Sequence, residues 1–421
     1  MDKFIIKGPT KLNGTVNISG SKNAALPIMA ACLAFPGVYK LNNVPNLRDT
    51  RTMIKLLKII GANVKNKNNS IIIDTHNCDN PEAPYELVKT MRASFYVLGP
   101  LLSRFQYAKV SLPGGCAWGP RPIDFHLNAF EQLGATIDLK SGYIITKGHL
   151  KGNKIIFPKP SVGATGNVLM ACSNLKDTVI IENAAKEPEI VDLCNFLIKC
   201  GVKILGVGTS TLVINGLNPQ NNLAVSYAII PDRIEAGTFL IACAATGGKV
   251  ILKNVLSDHL EIIIKKLIKT GVTISLNNNK IIIESTGKIQ SCDMTTDVYP
   301  GFPTDLQAQW ISLMIKSKGK SIIKDTIYVD RFTHVPELIR LGSKIRMDNN
   351  VALIDGVNEL YAADVMSTDI RASASLIIAA MISTGQTELS RIYHIDRGYE
   401  NIENKLNKLG ASIKRINEPM F

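Results

Sequence analysis

The sequence predicts an α/β protein built from six similar units of about seventy residues, arranged as two halves of three units each. Two patterns support this prediction. A short phrase with a central glycine recurs at spacings of 67 to 73 residues, and a strongly apolar segment recurs with nearly the same period. The glycines are Gly61, Gly134, Gly201, Gly271, Gly342 and Gly410. Recurrence at a fixed period is typical of repeat architectures, in which each unit is one supersecondary motif.

Each recurring glycine lies between an amphipathic helix and a β-rich run. Residues 52–60 and 397–409 have apolar side chains at every third or fourth position, which is the spacing of one helical face. A glycine directly after such a stripe is typical of a helix C-terminus, where the chain turns through a left-handed conformation. The runs that follow are predicted strands. They are 70–73, 143–146, 211–214, 280–283 and 351–354.

A second helix is predicted in each unit, and its apolar residues lie on all faces, so it should be buried. These segments are 23–33, 92–102, 164–172, 235–245, 305–315 and 371–382. Their leading polar residues are Lys22, Arg92, Ser161 to Gly163, Arg233, Thr304 with Asp305, and Arg371. If the units pack by pseudo-symmetry, the helix N-termini point to a shared region that attracts anions. The alternative is that each leading residue only marks the last exposed position before a buried helix.

Composition limits the classes of function. The chain has 421 residues, of which 46% are hydrophobic and 20% charged, as in proteins with large buried cores. The net charge is +13, but the basic residues are spread out, so the excess permits an anionic ligand and does not indicate nucleic acid. The first residues lack the apolar segment of a signal peptide and no uncharged apolar run is long enough for a membrane helix, so neither is expected. The eight cysteines form no Cys-x-x-Cys pair, which favours reduced thiols, a cytoplasmic protein and no structural zinc.

The stretch 111–124 differs from the rest of the chain. Its glycines and prolines exclude a continuous helix or strand, and Gly114 and Gly115 permit unusual backbone turns. It also carries a thiol (Cys116), an indole (Trp118) and a guanidinium group (Arg121). A flexible loop that carries a thiol and a cation is typical of a mobile catalytic lid. The nearby cation lowers the pKa of the thiol and so makes it more reactive. A surface connector with a chance cysteine is the alternative.

Several phrases spread over the chain form a family signature. They are Gly20-Ser-Lys-Asn-Ala-Ala-Leu-Pro27, Leu112-Pro-Gly-Gly-Cys116, Gly119-Pro-Arg-Pro-Ile-Asp124, Pro231-Asp-Arg-Ile-Glu235, Phe302-Pro-Thr-Asp305, Thr368-Asp-Ile-Arg-Ala-Ser373 and Tyr393-His-Ile-Asp-Arg-Gly-Tyr-Glu400. Together they resemble the UDP-N-acetylglucosamine enolpyruvyl transferase family. The resemblance implies the enolpyruvyl transferase fold, a two-domain inside-out α/β barrel with three βαβαββ repeats in each domain.

The resemblance also implies the domain limits. The first domain is expected to comprise residues 22–230 and to carry the lid loop 111–124, and the second to comprise 1–21 together with 231–421. The sequence itself places a crossover near 227–231 with no flexible linker, which favours a substrate cleft between the halves. The active site is therefore expected in the interdomain cleft.

The reaction that the resemblance implies is an addition followed by an elimination. The enolpyruvyl group of phosphoenolpyruvate moves to the 3-hydroxyl of UDP-N-acetylglucosamine and phosphate is released, as the first committed step of peptidoglycan (cell wall) biosynthesis. The two small substrates are the expected partners. No cofactor, metal, nucleic acid, membrane insertion or obligate protein partner is expected, and the protein is expected in the cytoplasm.

Two residues match the family's catalytic positions. Cys116 is the expected proton donor, able to form an adduct with phosphoenolpyruvate and to react with fosfomycin. Asp305 is the expected base near the sugar 3-hydroxyl. For Asp305 the residues leave an alternative open, because an aspartate at a helix N-terminus is often a plain N-cap.

The remaining site residues fall into two groups. The phosphoenolpyruvate site is expected to use Lys22, Asn23, Arg121, Arg371 and Arg397. The nucleotide-sugar site is expected to use Arg92, Arg121, Pro122, Ile123, Asp124, Phe125, Lys159, Ser161, Val162, Gly163, Asp305 and Ile327. Arg331 and Asp369 are expected behind the substrate-binding residues or elsewhere in the cleft, and His126, His334 and His394 are expected to order the structure and not to carry protons.

Three other functions are alternatives to this one. The sister enzyme enolpyruvylshikimate phosphate synthase shares the fold and the donor, but the phrases at 112–116 and 121–124 favour the nucleotide sugar. A nucleic-acid scaffold would need basic and aromatic residues interleaved along one surface, which the sequence lacks. A catalytically silent relative is disfavoured because Cys116, Asp305 and the expected cations are all present.

Overall fold

A computed structural model describes residues 2–67, 69–112, 123–216 and 223–417 of the chain. The chain divides into two compact units. One is Gly20–Ile230, called here the 20–230 unit, and the other joins Met1–Ser19 to Pro231–Phe421 and is called the 231–421 unit. The chain therefore passes from one unit to the other twice, after Ser19 and after Ile230.

The chain begins with β1 (Lys3–Gly8) and β2 (Leu12–Asn17). The next elements are α1 (Lys22–Ala31), β3 (Gly37–Asn42), α2 (Arg48–Ile60), β4 (Asn63–Lys67) and β5 (Ser70–Asp74). Then come β6 (Glu82–Ala83), α3 (Tyr85–Val88), a 3₁₀ turn (Arg92–Val97), α4 (Leu98–Phe105), β7 (Tyr107–Ser111), α5 (Asp124–Gln132), β8 (Thr136–Lys140) and β9 (Tyr143–Lys147). The last elements of the 20–230 unit are β10 (Lys154–Ile156), α6 (Val162–Ala171), β11 (Thr178–Glu182), α7 (Pro188–Lys199), β12 (Lys203–Leu205), β13 (Thr211–Asn215) and β14 (Leu223–Ala228).

The 231–421 unit repeats this order. It continues with α8 (Arg233–Thr246), β15 (Gly248–Lys253), a 3₁₀ turn (Ser257–Leu260), α9 (Glu261–Lys269), β16 (Thr273–Asn277) and β17 (Lys280–Ser285). Next are β18 (Met294–Thr295), a 3₁₀ turn (Thr304–Leu306), α10 (Gln307–Met314), β19 (Lys320–Lys324), α11 (Val335–Arg340), β20 (Lys344–Asp348) and β21 (Val351–Asp355). The chain ends with β22 (Val365–Met366), α12 (Ile370–Ile382), β23 (Gly385–Ser390), a 3₁₀ turn (Ile392–Arg397), α13 (Ile402–Lys408) and β24 (Ser412–Ile416).

The described strands form six sheets of four strands each. Two sheets are completed by strands that are distant along the chain. Strand β2 lies parallel to β15, from Leu12 opposite Gly248 to Asn17 opposite Lys253. Strand β1 lies between β23 and β24 and is antiparallel to both. The first residues of the chain therefore complete the 231–421 unit, and β14 completes the first sheet of the other unit in the same way as β2, by lying parallel to β3.

The helices follow the two predicted classes. Helices α1, α6, α8 and α12 are buried on nearly all faces, and each unit has its own apolar core. Helices α2, α7 and α9 each bury an apolar face and expose residues on the opposite face. All six recurring glycines have positive φ angles, between 93° and 109°, and lie one or two residues after the end of a helix. The predicted role of these glycines at helix ends is confirmed, because a left-handed turn favours a residue without a Cβ atom.

The sequence prediction was wrong about the start of three helices. The predicted helix 397–409 begins only at Ile402, because Asn401 has a left-handed backbone (φ 49°) that interrupts it. The predicted helices 92–102 and 305–315 each begin with a 3₁₀ turn, Arg92–Val97 and Thr304–Leu306. A 3₁₀ turn is tighter than an α-helical turn and reorients the side chains at its N-terminus.

Candidate active site

Three buried helices of the 231–421 unit begin near an aspartate, and one of the three aspartates has a different role from the other two. Asp232 caps α8, where its side chain accepts hydrogen bonds from the backbone N–H groups of Ile234 and Glu235. Asp369 caps α12 in the same way, with Arg371 and Ala372 as donors. Asp305 lies in the 3₁₀ turn before α10 and forms no such cap. The plain N-cap interpretation of Asp305 is therefore wrong.

The carboxylate of Asp305 is instead held by two guanidinium groups. Its Oδ2 lies 2.7 Å from Nη2 of Arg371, and its Oδ1 lies 2.8 Å from Nη1 of Arg331. Burial alone raises the pKa of a carboxyl group, but Arg371 and Arg331 outweigh burial and hold the pKa of Asp305 well below its usual range. Asp305 is therefore ionised at neutral pH.

A second aspartate, Asp325, fixes the position of this turn. It is fully buried, and its Oδ2 accepts a 2.7 Å hydrogen bond from the hydroxyl of Thr304, the residue before Asp305. Its Oδ1 accepts the backbone N–H groups of Ile327 and Tyr328, both at 2.9 Å. One carboxylate therefore connects the Asp305 turn to Ile327, which the sequence assigned to the nucleotide-sugar site.

In the 20–230 unit, the start of α1 holds a buried ion pair. Nζ of Lys22 lies 3.3 Å from Oδ2 of Asp49, and both side chains are almost fully buried. Lys22 is the first residue of α1, where the helix dipole disfavours a cation. Asp49, in the first turn of α2, offsets this cost. Asn23 follows Lys22 in the same turn, and Ser21 caps the helix by accepting the N–H of Ala24.

The start of α6 packs against a histidine. Ser161 caps this helix by accepting the N–H of Ala164, so Val162 and Gly163 form its first turn. A Cβ atom on Gly163 would lie 3.1 Å from Nε2 of His126 and 3.2 Å from its Cε1. Only glycine lets the backbone of α6 approach the imidazole ring this closely.

The tautomer of His126 follows from its neighbours. The side-chain amide of Asn167 accepts the backbone N–H of Gly99 through Oδ1 and donates to the carbonyl of Phe95 through Nδ2. The same Nδ2 lies 3.0 Å from Nδ1 of His126, so Nδ1 must accept and the ring proton lies on Nε2. Burial and the charge of Arg92 lower the pKa of His126 to about 3, so the ring is neutral at neutral pH. This neutral, bonded state agrees with the predicted ordering role.

The chain is similar to named enzymes over nearly its whole length. The chain is 50% identical over 419 residues to a UDP-N-acetylglucosamine 1-carboxyvinyltransferase of Geotalea daltonii, and the match covers 99% of this chain and 100% of the relative. It is 49% identical over 419 residues to the enzyme of that name from Pelodictyon phaeoclathratiforme, with 99% and 98% of the two chains covered. A family model described as EPSP synthase (3-phosphoshikimate 1-carboxyvinyltransferase) matches residues 6–406.

The chain belongs to the UDP-N-acetylglucosamine 1-carboxyvinyltransferase family. Solved structures show the same fold at much lower sequence identity. The enolpyruvyl transferase NikO from Streptomyces tendae has a TM-score of 0.90 and 24% identity, with 99% of both chains covered. EPSP synthase from Acinetobacter baumannii has a TM-score of 0.75 and 15% identity, with 99% of this chain and 100% of that chain covered. The predicted family and the predicted enolpyruvyl transferase fold are confirmed.

Several site residues expected from the UDP-N-acetylglucosamine 1-carboxyvinyltransferase family lie on the described elements. Ile123, Asp124 and Phe125 form the start of α5, and the ring of Phe125 stacks on Phe157 with 6.3 Å between centroids. Lys159 is exposed two residues before Ser161. Arg92 opens a 3₁₀ turn, and Arg397 is the last residue of another. Cys116, Arg121 and Pro122 lie outside the described residues, so the lid prediction stays a prediction.

Arg331, expected behind the substrate-binding residues or elsewhere in the cleft, bonds Asp305 directly. Three residues that bond or support predicted site residues were missed from the sequence. Asp49, Asp325 and Tyr399 were not predicted as site residues at all. The sequence offers a signal only for Tyr399, which lies in the same phrase as Arg397.

In the four described ranges, no group of three or more His, Cys, Asp or Glu side chains is arranged to hold a metal ion. None of the helices in those ranges is both long enough and apolar enough to cross a membrane.

Proposed function

We propose that the protein transfers the enolpyruvyl group of phosphoenolpyruvate to the 3-hydroxyl of UDP-N-acetylglucosamine and releases phosphate, the first committed step of peptidoglycan synthesis. The observation that carries the proposal is the 49–50% identity over 99% of the chain to relatives that are named for this activity. The Asp305 carboxylate between Arg331 and Arg371 supports it, because the reaction needs a proton acceptor beside cations. A cytoplasmic location is part of the proposal.

The chemistry consists of two steps. In the addition, the sugar oxygen forms a bond to C2 of phosphoenolpyruvate while C3 receives a proton, and the sugar hydroxyl loses its own proton. In the elimination, C3 loses a proton and the bond from C2 to the phosphate oxygen breaks. We assign the donation at C3 to Cys116, which rests on the sequence match because this residue lies outside the described residues.

We assign the proton of the sugar hydroxyl to Asp305. It is ionised and so able to accept a proton, but a carboxylate bonded to two guanidinium groups is a weak base. Arg371 is also among the cations assigned to phosphoenolpyruvate. An anionic substrate that attracts Arg371 would weaken its bond to Asp305 and make the carboxylate a stronger base. Substrate binding would then activate the base where it is needed.

The substrate anions are assigned to the cations expected from the sequence. The phosphate and carboxylate of phosphoenolpyruvate would be held by Lys22, Asn23, Arg121, Arg371 and Arg397. The guanidinium groups of the three arginines can bind such anions in a bidentate manner. The start of α6, with Ser161, Val162 and Gly163, would bind the nucleotide sugar through backbone N–H groups at a helix N-terminus. The expected substrate cleft between the halves stays a prediction.

The test is phosphate release with purified protein, phosphoenolpyruvate and UDP-N-acetylglucosamine. Release with this sugar, none with shikimate 3-phosphate, and loss of release in Cys116→Ser would support the proposal. Release only with shikimate 3-phosphate would assign the protein to the sister activity that the matching family model names. No release with either acceptor would contradict enolpyruvyl transfer by this chain.

A further inference from the structure

The hydroxyl group of Tyr399 lies at a junction of polar groups inside the 231–421 unit. It is 3.2 Å from Nη1 of Arg371, 3.1 Å from Nε2 of Gln309 and 2.8 Å from Oγ1 of Thr238. All four side chains are buried. Arg371 uses its other terminal nitrogen, Nη2, to bond Asp305. The junction therefore lies one guanidinium group away from the proposed base.

The direction of the hydrogen bond between Tyr399 and Thr238 follows from the other neighbours of the two hydroxyl groups. Arg371 can only donate, and the amide nitrogen of Gln309 also donates because it bonds the backbone carbonyl of Asp305 at 3.1 Å. Among the described contacts of Tyr399, Thr238 is therefore the one that can accept its proton. The hydroxyl of Thr238 gives its own proton to the carbonyl of Ile234 in α8, at 2.8 Å. Donation thus runs from Tyr399 to Thr238 and from Thr238 to Ile234.

This order leaves the Tyr399 oxygen able to accept from Nη1 of Arg371 and from Nε2 of Gln309, which also lies 3.1 Å from Oγ1 of Thr238. Arg371 is consequently held at both ends, by a neutral oxygen at Nη1 and by the Asp305 carboxylate at Nη2. The charged groups around it are Asp305, the Asp232 cap of α8, and Arg331 on the far side of Asp305. A guanidinium group fixed at two nitrogens has a defined plane, which bidentate recognition of an anion requires.

We propose that Tyr399, with Thr238 behind it, is a positioning residue that orients the Arg371 guanidinium group for phosphoenolpyruvate. This inference rests on the proposed function, since it needs Arg371 to bind that substrate. Tyr399 touches no substrate. Its effect passes through Arg371, and the effect of Thr238 passes through Tyr399. A substitution of Thr238, two hydrogen bonds away from the guanidinium group, should therefore change substrate affinity.

The experiment measures KM for both substrates, kcat and the melting temperature in four single variants and in the double variant Tyr399→Phe/Thr238→Val. Tyr399→Phe removes the oxygen that accepts from Arg371. Thr238→Val keeps the shape of the threonine side chain but removes the acceptor for the Tyr399 proton, so that this proton is left facing other donors. Thr238→Ser keeps the hydroxyl group. Tyr39→Phe is the matched control, because Tyr39 is a buried tyrosine of the other unit whose hydroxyl bonds only the Phe35 carbonyl among the described contacts.

In Tyr399→Phe and in Thr238→Val, the KM for phosphoenolpyruvate should rise about tenfold, as expected for a lost hydrogen bond to a charged group. The KM for UDP-N-acetylglucosamine should change less than about twofold, and the double variant should be no worse than either single variant. Thr238→Ser and Tyr39→Phe should keep both KM values.

The inference would be overturned if the KM values for the two substrates changed equally. It would also be overturned if Tyr399→Phe lowered only the melting temperature, as Tyr39→Phe does. If Tyr399→Phe does not fold, the Thr238→Val and Thr238→Ser pair decides in the same way. The proposed function fails separately, because in that case the unsubstituted protein would not transfer the enolpyruvyl group at all.

Discussion

Nη2 of Arg371 lies 2.7 Å from Oδ2 of Asp305, although 66 residues separate them along the chain. One residue is an expected ligand of an anionic substrate, and the other is the proposed base. A guanidinium group bonded to the base cannot make its full set of contacts with the substrate, so the two functions are linked through one ion pair. In this structure the Asp305 carboxylate is therefore a weak base, because the two guanidinium groups lower its pKa.

Asp305→Asn tests the role of the carboxylate. Asparagine keeps the shape and one acceptor oxygen but cannot take up a proton, so kcat should fall by a factor of about 10²–10⁴. The dissociation constant of UDP-N-acetylglucosamine should change less, by about threefold at most. Steady-state kinetics and calorimetric titration measure the two quantities.

Asp348→Asn is the control for this substitution, because Asp348 is an exposed carboxylate on β20 of the same unit. It should leave both quantities unchanged. If Asp305→Asn weakened binding and turnover by the same factor, Asp305 would be a binding residue and the proton would need another acceptor.

Asp49→Asn tests the buried ion pair of α1. Without the carboxylate, the Lys22 ammonium group is opposed by the helix dipole and loses the partner that lies 3.3 Å away. We expect the KM for phosphoenolpyruvate to rise about tenfold, since the lysine is then less well placed for the substrate phosphate. Glu86→Gln, in the exposed Lys89–Glu86 pair, is the control and should have no effect. An unchanged KM in Asp49→Asn would show that the pair serves stability alone.

The repeat architecture could be predicted from the sequence because it depends on local chemistry. A left-handed turn selects glycine, and six such turns at regular spacing revealed the period. The places of β1 and β2 could not be derived in this way. They pair with β23, β24 and β15, more than 200 residues away, and only the resemblance to a family implied their position.

The contacts of the candidate site show the same limit. Sequence patterns and the family phrases marked Lys22, Asp305 and Arg371, but not which carboxylate each cation bonds. Asp49 and Asp325 look like ordinary first-turn and loop residues in the sequence, and only their burial beside Lys22 and Thr304 distinguishes them. A contact between distant residues depends on packing, which no local pattern encodes.

Gly163→Ala tests the close approach of α6 to His126. The new methyl group would lie 3.1 Å from Nε2 of the ring, so the first turn of α6 must shift by a few tenths of an ångström. We expect the dissociation constant of UDP-N-acetylglucosamine to rise about tenfold. The melting temperature should change little, because alanine favours the helix by about 1 kcal/mol over glycine and offsets the contact.

Gly271→Ala is the matched control for this glycine. A Cβ atom on Gly271 would lie in open space, but the residue has a positive φ of 93°, so alanine should lower stability there without affecting nucleotide-sugar binding. If Gly163→Ala bound the nucleotide sugar normally, the start of α6 would tolerate the methyl group and the contact with His126 would not set its position.

His334 should make the protein less stable in mild acid. It is fully buried, and neither ring nitrogen has a hydrogen-bond partner among the described residues. Burial lowers its pKa to about 4, Asp369 opposes this shift and Arg331 adds to it, whereas an unfolded histidine has a pKa of about 6.5. The unfolded chain therefore binds a proton first as the pH falls. The stabilisation by the neutral ring is complete above about pH 6.5 and is lost progressively toward pH 4, by about 3 kcal/mol at most.

The measurement is the urea midpoint of unfolding at several pH values between 7 and 4. In His334→Gln the decline toward acid should be smaller than in the unsubstituted protein, because the amide does not titrate and its folded and unfolded states bind protons equally. His149→Gln removes an exposed histidine and should leave the decline as it is. His126, also buried with a lowered pKa, keeps part of the slope in both variants. An identical decline in His334→Gln and the unsubstituted protein would mean that His334 takes up its proton in the folded state as readily as in the unfolded chain.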